Sequence, residues 1–308
     1  MSILAVGSVA LDSVKTPAGS VDEVVGGSAV FFSAAASLLA GVRVVGVIGD
    51  GYPTARLRFL RERGVDFAGL VRRPGENFFW AGRYGADFRT RETTETRLGV
   101  FADFDPVIPR RWRESEVVFL GNIDPDLQLA VLDQVRAPEL VAADTMNYWI
   151  ERTPNALLRV LSRLDVLLVS DEEARQLAGE SDLARAAARI RERGPSLVVV
   201  KRGEDGADLF ADDWSFSCPA CPPARMTDPT GAGDAFAGGF LGYLDRTGSH
   251  DRAGLLRAAA YGAAAGSCAV EDFSVDRFRD LSVAELEERA GRVDAGAARA
   301  LESARTPG

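Results

Sequence analysis

The segment Asp228-Pro229-Thr230-Gly231-Ala232-Gly233-Asp234 gathers the residue types that phosphoryl transfer requires. Gly231 and Gly233 let a ligand approach the backbone closely. The apolar stretch that follows Asp234 has a helical period, which puts the glycines at a helix N-terminus. Such an end offers unpaired N–H groups and a partial positive charge, and both suit phosphate. Asp234 then stands beside the anion site, where a carboxylate can take a proton from an attacking hydroxyl. The flanking amides can neutralise charge on the transferring group. The spacing is not a dinucleotide fingerprint, because Phe236 stands where the third glycine belongs. A plainer reading is equally open at this point: Asp228 or Asp234 caps the helix and nothing more.

Other chemistries are excluded by what is missing. The chain has two lysines, Lys15 and Lys201, and neither lies in a G-x-x-x-x-G-K-[ST] loop. The one histidine, His250, sits in a polar stretch, so multi-histidine zinc sites and H-R-D kinase loops fail. A Ser-His-Asp triad fails too, for want of a G-x-S-x-G serine. Cys218 and Cys221 have C-x-x-C spacing, but no second pair closes a zinc site, and they read as ordinary small residues. Net charge is -9, from 36 Lys+Arg against 45 Asp+Glu, with no basic block, so nucleic acid is not an expected partner.

The elements that must position this chemistry follow from periodicity. At 308 residues, 46% of them hydrophobic, the chain is long enough for one large α/β domain. Continuous apolar runs at 3–6, 42–48, 117–120, 140–143, 166–169 and 197–200 predict strands buried on both faces. Helices are predicted at 29–39, 53–63, 126–135, 154–164, 171–177 and 183–193. This alternation implies an α/β fold, a mostly parallel sheet with helices on both sides. A hairpin (207–211 and 215–218) and two Ala/Gly-rich helices (232–244 and 252–269) follow. The tail from residue 282 reads as a surface helix, fraying near Gly308. Residues 77–101 alternate instead, as an antiparallel pair that must pack on something, and they read either as a lid or as a decorative edge hairpin. No apolar run is long enough for a membrane span and the start lacks a signal-peptide pattern, so the expected location is cytoplasmic.

With these residues in view, DPTGAGDAFAGGF resembles the C-terminal signature of the ribokinase (PfkB) family of carbohydrate and nucleoside kinases. Further segments resemble the family in order, from residue 1 to about 280: Gly7 with Asp12, the pair Gly26-Gly27, residues 45–50, residues 63–66, Ser170 to Glu173, and Lys201-Arg202-Gly203 with Gly206. The resemblance implies a three-layer αβα fold with a small β lid, formed mainly by 77–101 with 12–25 as a further candidate. It implies ATP and Mg²⁺ as cofactors, with K⁺ as in members that use it. It implies a small sugar or nucleoside as substrate, and a homodimer formed through the lid.

Carried over residue by residue, it implies Asp234 as base, with Gly231, Ala232 and Gly233 as the anion hole. Asp12 and Gly27 would bind substrate hydroxyls, and Glu173 would organise Mg²⁺ through water. Lys201, Gly203 and Gly206 would border ATP, with Asp228 and Thr230 beside the monovalent cation. Simpler roles stay open for three of these: Glu173 as a first-turn helix charge, Asp12 as a turn residue, Gly203 and Gly206 as hairpin glycines.

Two departures bear on substrate. Phe31 stands where the family usually has asparagine, so either a hydroxyl contact is absent or a flat group stacks there. Ser170 replaces the asparagine of N-x-x-E. Met146, Tyr148, Trp149, Phe79 and Trp80 are apolar candidates for the pocket or for the core. Arg83, Arg89, Arg91 and Arg97 would meet a phosphorylated substrate, or else be solvated or paired with Glu92 and Glu95. The expected function is transfer of the γ-phosphate of ATP to a hydroxymethyl group. The alternative is a ligand-binding or regulatory protein on a kinase fold.

Overall fold

Alternate residues of β1 (Ser2–Val6) enter two different cores: Ile3 and Ala5 one, Leu4 and Val6 the other. A strand buried this way lies inside a sheet covered on both faces. The structure, a computed structural model, describes residues 2–305, with side chains as far as residue 294. After β1 come β2 (Ala10–Thr16), β3 (Gly19–Gly26), α1 (Ser28–Ala36), β4 (Gly41–Ile48), α2 (Arg58–Glu62), β5 (Asp66–Arg72), β6 (Phe78–Tyr84) and β7 (Arg91–Arg97). The middle holds β8 (Val117–Leu120), α3 (Pro125–Leu132), β9 (Leu140–Asp144), α4 (Asn147–Arg152), α5 (Pro154–Leu161), β10 (Val166–Ser170), α6 (Asp171–Ala178) and α7 (Leu183–Arg191). The last third holds β11 (Leu197–Lys201), β12 (Ala207–Phe210), β13 (Ser215–Cys218), α8 (Ala232–Thr247), α9 (Arg252–Ala269), α10 (Asp276–Asp280) and α11 (Val283–Arg305).

Among the described residues, nine strands form one sheet in the order β13-β12-β11-β10-β9-β8-β1-β4-β5. All its pairings are parallel except those of β12 with β11 and β13. One face is covered by α1, α8, α9 and α11, the other by α3, α5, α6 and α7. The expected three-layer α/β fold is therefore present. Order along the sheet places the ends of β9, β10 and β11 side by side, with Leu168 opposite Asp144 and Ser170 opposite Lys201. In open parallel sheets the crevice outside the carboxyl ends of the strands is where ligands bind.

A second sheet has the order β3-β2-β6-β7. Its two hairpins join through a parallel pairing of β2 with β6, Asp12 opposite Trp80. The hairpin of β2 and β3 is also held from the far end of the chain: Thr16 Oγ1 donates to the Thr227 carbonyl at 2.8 Å, and Ser274 Oγ donates to the Val25 carbonyl.

Local differences from the sequence reading have simple causes. Residues 53–63 are not one helix: the Arg56 N–H bonds the Pro53 carbonyl and closes a tight 3₁₀ turn over Thr54–Leu57 before α2 starts. Residues 99–101 turn instead of extending β7, with the Val100 N–H bound to the Glu76 carbonyl. β5 was not foreseen. The predicted fraying near Gly308 lies outside the described residues. No described helix is long and apolar enough to cross a membrane.

Candidate active site

The first turn of α8 is shaped by Gly231, which has φ +75° and would bring a Cβ to 2.2 Å from Phe31 Cγ. Only a residue without a side chain fits this bend. No side chain caps the helix here; the Ala232 N–H, an expected part of the anion hole, turns back to the Pro229 carbonyl at 3.3 Å, and the N–H groups of Gly231, Gly233 and Asp234 are left for a ligand. Upstream, Asp228 is 1% exposed. Its Oδ1 accepts the Thr230 N–H at 2.9 Å, and its Oδ2 is buried without a partner. Thr230 Oγ1 in turn lies 3.2 Å from Tyr84 Oη, which joins the small sheet to this turn.

Around Asp234 the ends of three strands supply charge. Lys201, the last residue of β11, places Nζ 2.6 Å from Asp144 Oδ2 at the end of β9. A Cβ on Gly233 would lie 3.0 Å from the same Nζ, so the ammonium sits against the first turn of α8. Glu173 follows β10 and closes a capping box: its Oε2 accepts the Ser170 N–H at 2.7 Å, and Ser170 Oγ accepts the Glu173 N–H at 3.2 Å. Asp12 reaches in from β2. Its carboxylate occupies the space a side chain on Gly26 would need, Oδ2 lying 1.9 Å from that Cβ position.

These charges shift one another. Burial pushes Asp234 up to about 7, Asp144 and Glu173 push the same way, and Lys201 opposes them. Asp12 is pushed up to about 8 by burial and by the charges of Asp228 and Asp234, against the Gly27 N–H. Glu173 is raised by burial and Asp144, with Lys201 opposing, and Asp228 is raised by burial. For Lys201, burial works against the charge, but Asp144, Glu173 and Asp234 outweigh it and hold the ammonium protonated.

Gly231, Ala232, Gly233, Asp234, Asp228, Thr230, Lys201, Glu173, Asp12 and Gly27 are thus parts of one neighbourhood. Gly203 and Gly206 flank the turn between β11 and β12, both with positive φ. Phe31 corrects an expectation. It is 2% exposed and its ring lies under Gly231, so it is the floor of the α8 turn and has no free face for a substrate. Trp149 is tied to Asn122 by an indole hydrogen bond of 3.0 Å, and Tyr148 is exposed beside it. In the small sheet Arg83 pairs with Glu92 and Arg97 with Glu95. Arg89 pairs instead with Glu204, inside the turn between Gly203 and Gly206. Asp144 and Tyr84 were missed. The available signal for Asp144 was a carboxylate closing the apolar run of β9, where a parallel strand meets the ligand crevice.

Architecturally the chain is a ribokinase-fold protein. It is similar to a Burkholderia thailandensis nucleoside kinase in complex with inosine, with a TM-score of 0.78 and 19% identity over 95% of this chain and 98% of that one. A putative ribokinase II from E. coli, in complex with ATP and Mg²⁺, has a TM-score of 0.78 and 20% identity, covering 94% of this chain and 99% of that one. The family model for pfkB family carbohydrate kinases matches residues 3–279, and the chain belongs to that family, phosphotransferases with a hydroxyl acceptor. It is 31% identical over 254 residues to a cytidine kinase of Thermococcus kodakarensis, which spans 80% of this chain and 89% of the relative.

Proposed function

We propose that the protein is a nucleoside kinase that transfers the γ-phosphate of ATP to a hydroxymethyl group of the acceptor. The observation that carries the reading is the uncapped start of α8 with Asp234 in its first turn. A carboxylate pushed up to about 7 is matched to general-base work near neutral pH. Asp234 takes the proton as the acceptor oxygen bonds phosphorus. The bond from phosphorus to the β–γ bridging oxygen breaks, and ADP leaves. The free amides of Gly231 and Gly233 carry the charge of the transferring group. Asp12 and Gly27 orient the acceptor. With its carboxyl pushed up to about 8, Asp12 holds a proton at neutral pH and can donate to a hydroxyl oxygen. Gly203 and Gly206 border the nucleotide. The small sheet, docked through Tyr84 on Thr230, acts as a lid that excludes water. Its outer strand β7 is exposed along its length and is the edge through which a homodimer would form.

The acidic surroundings fit a divalent cation. Mg²⁺ is usually held by one or two carboxylates, waters and substrate phosphates, and the described residues contain no group of three metal-ligating side chains. Glu173 would hold it through water, and bound there it neutralises phosphate charge. The buried, unpartnered Asp228 Oδ2, with Thr230, suits K⁺.

The nucleoside preference rests on the likeness to cytidine kinase. ADP release, measured with ATP against nucleosides, pentoses, hexoses and sugar phosphates, with and without Mg²⁺ and K⁺, tests it. Release with nucleosides is expected, cytidine among them. Release with sugars alone overturns the acceptor class. Acceptor binding without any ADP release overturns the kinase in favour of a binding protein.

A further inference from the structure

Lys201 stands out by type and by surroundings. Of the 36 basic residues two are lysines, and the other lysine, Lys15, lies on the small sheet. At position 201 an arginine fork would need room that the first turn of α8 takes, since Gly233 already lies against Nζ. A compact ammonium with three donors fits there and can turn toward more than one oxygen. Three carboxylates, Asp144, Glu173 and Asp234, act on it. It bonds the first of them at 2.6 Å.

Asp144 is built to hold that position. It is 5% exposed. Its Oδ1 accepts the Thr145 N–H at 2.8 Å, which leaves Oδ2 for Lys201. Gln128 Nε2 fixes the backbone by donating to the Asp144 carbonyl at 3.2 Å and to the Gly121 carbonyl at 2.9 Å. Strand registry holds the two ends side by side, Asp144 next to Leu168 and Lys201 next to Ser170. None of these contacts uses Asp234.

We propose that Lys201 is the cation that faces the β- and γ-phosphates of the nucleotide, and that Asp144 is its positioning residue, keeping the ammonium on the phosphate side of the α8 turn and off Asp234. The inference rests on the kinase reading above and deepens it. The lysine adds a mobile charge to the fixed amides of the turn. Without the Asp144 tether, the ammonium is left to the other two carboxylates that act on it, Glu173 and Asp234, and a base engaged by an ammonium no longer accepts the acceptor proton.

Four proteins test this: wild type, Lys201→Met, Asp144→Asn and the double variant. Binding of ATP and of AMP is measured by calorimetry, and ADP release is followed with the acceptor that serves the wild type. Lys201→Met is expected to weaken ATP about tenfold or more, the worth of a charge-assisted bond, and to leave AMP, which lacks the outer phosphates, within about twofold. Its kcat falls about 100-fold with acceptor KM unchanged. Asp144→Asn lowers kcat in the wild-type background and adds nothing once Lys201 is gone. The single variant Lys201→Met leaves Asp144 buried without its partner and can fail to fold; the double variant removes both charges, so the ATP-to-AMP comparison is still read there. Equal changes for ATP and AMP, or none, overturn the role of Lys201. Independent, multiplying losses in the double variant overturn the role of Asp144. A wild type that binds ATP and phosphorylates no acceptor overturns the kinase reading and leaves the ATP-to-AMP comparison to judge Lys201 alone. A wild type that binds no ATP overturns both.

Discussion

Two helices start at the same edge of the large sheet, and they start in opposite ways. α6 opens on Ser170, and its capping box satisfies backbone donors at both Ser170 and Glu173. α8 opens on Gly231 in a left-handed conformation, with no side-chain cap. The first end is finished by the protein itself; the second is left for something else to finish. An N-terminus with free amides carries a partial positive charge wherever it occurs. The difference between α6 and α8 is that only one of them keeps that charge available. Acidic residues occur in the first turn of both, so acidity alone does not mark a site. Nor does a missing cap alone, since the short α10 also lacks one and carries Asp276 in its first turn; what sets α8 apart is that its uncapped turn meets Lys201 and the ends of β9 and β11.

The contrast can be broken most severely at Asp234. In Asp234→Ala, kcat is expected to fall by about 100-fold or more, the usual worth of a general base, with ATP affinity near wild type. Steady-state kinetics together with nucleotide binding read this, and equal turnover ends the assignment. Next comes Gly231→Ser, which gives α8 the capping residue type of α6. A new cap normally stabilises a helix. Here a side chain at φ +75° meets the Phe31 ring, so a loss of about 1–3 kcal/mol is expected, seen as a lower melting temperature along with reduced kcat. A rise in melting temperature would mean that the turn tolerates a cap after all.

pH sharpens the comparison with a smaller effect. kcat/KM should fall as pH drops below about 7, where Asp234 gains its proton. Stability runs the other way. Asp12 and Asp234 have raised pKa values in the folded chain, so it holds their protons more tightly than the unfolded chain does. Their contribution is complete below the ordinary carboxylate range and is lost as pH rises through about 7 and 8. Melting temperature should therefore decline between about pH 4 and pH 8 and level off above, and Asp12→Asn should flatten the decline. The smallest effect belongs to Ser170→Ala, which removes one half of the capping box at a cost of about 1 kcal/mol. Differential scanning calorimetry should show a drop of about 2 °C, and the catalytic loss should stay far below that of Asp234→Ala.

What could be read from the amino-acid order follows from what each element must bury. β1, β8, β9, β10 and β11 are covered on both faces, so their apolar runs are continuous and visible. β5 lies at the edge of the sheet with exposed positions along it, and its mixed sequence left no run to find. The α8 turn was legible as a glycine-rich helix start, but its spacing left a plain cap equally open, and only the resemblance of the segments around it pointed to phosphate. Phe31 was left between an absent hydroxyl contact and a stacking face, because its position along the chain does not reveal that its ring fills the space beneath Gly231. Asp144 and Lys201 are 57 residues apart, and only the registry of β9, β10 and β11 makes them neighbours. A pair of that kind leaves no periodic trace.

The two hydrogen bonds that tie the hairpin of β2 and β3 to Thr227 and Ser274 have a consequence for synthesis. They join residues 211 and 249 positions apart. During synthesis the hairpin is made long before its clamp, since Thr227 follows Thr16 by 211 residues and Ser274 follows Val25 by 249. The hairpin that carries Asp12 is therefore clamped only after every strand of the large sheet, the last of which ends at Cys218, has been made.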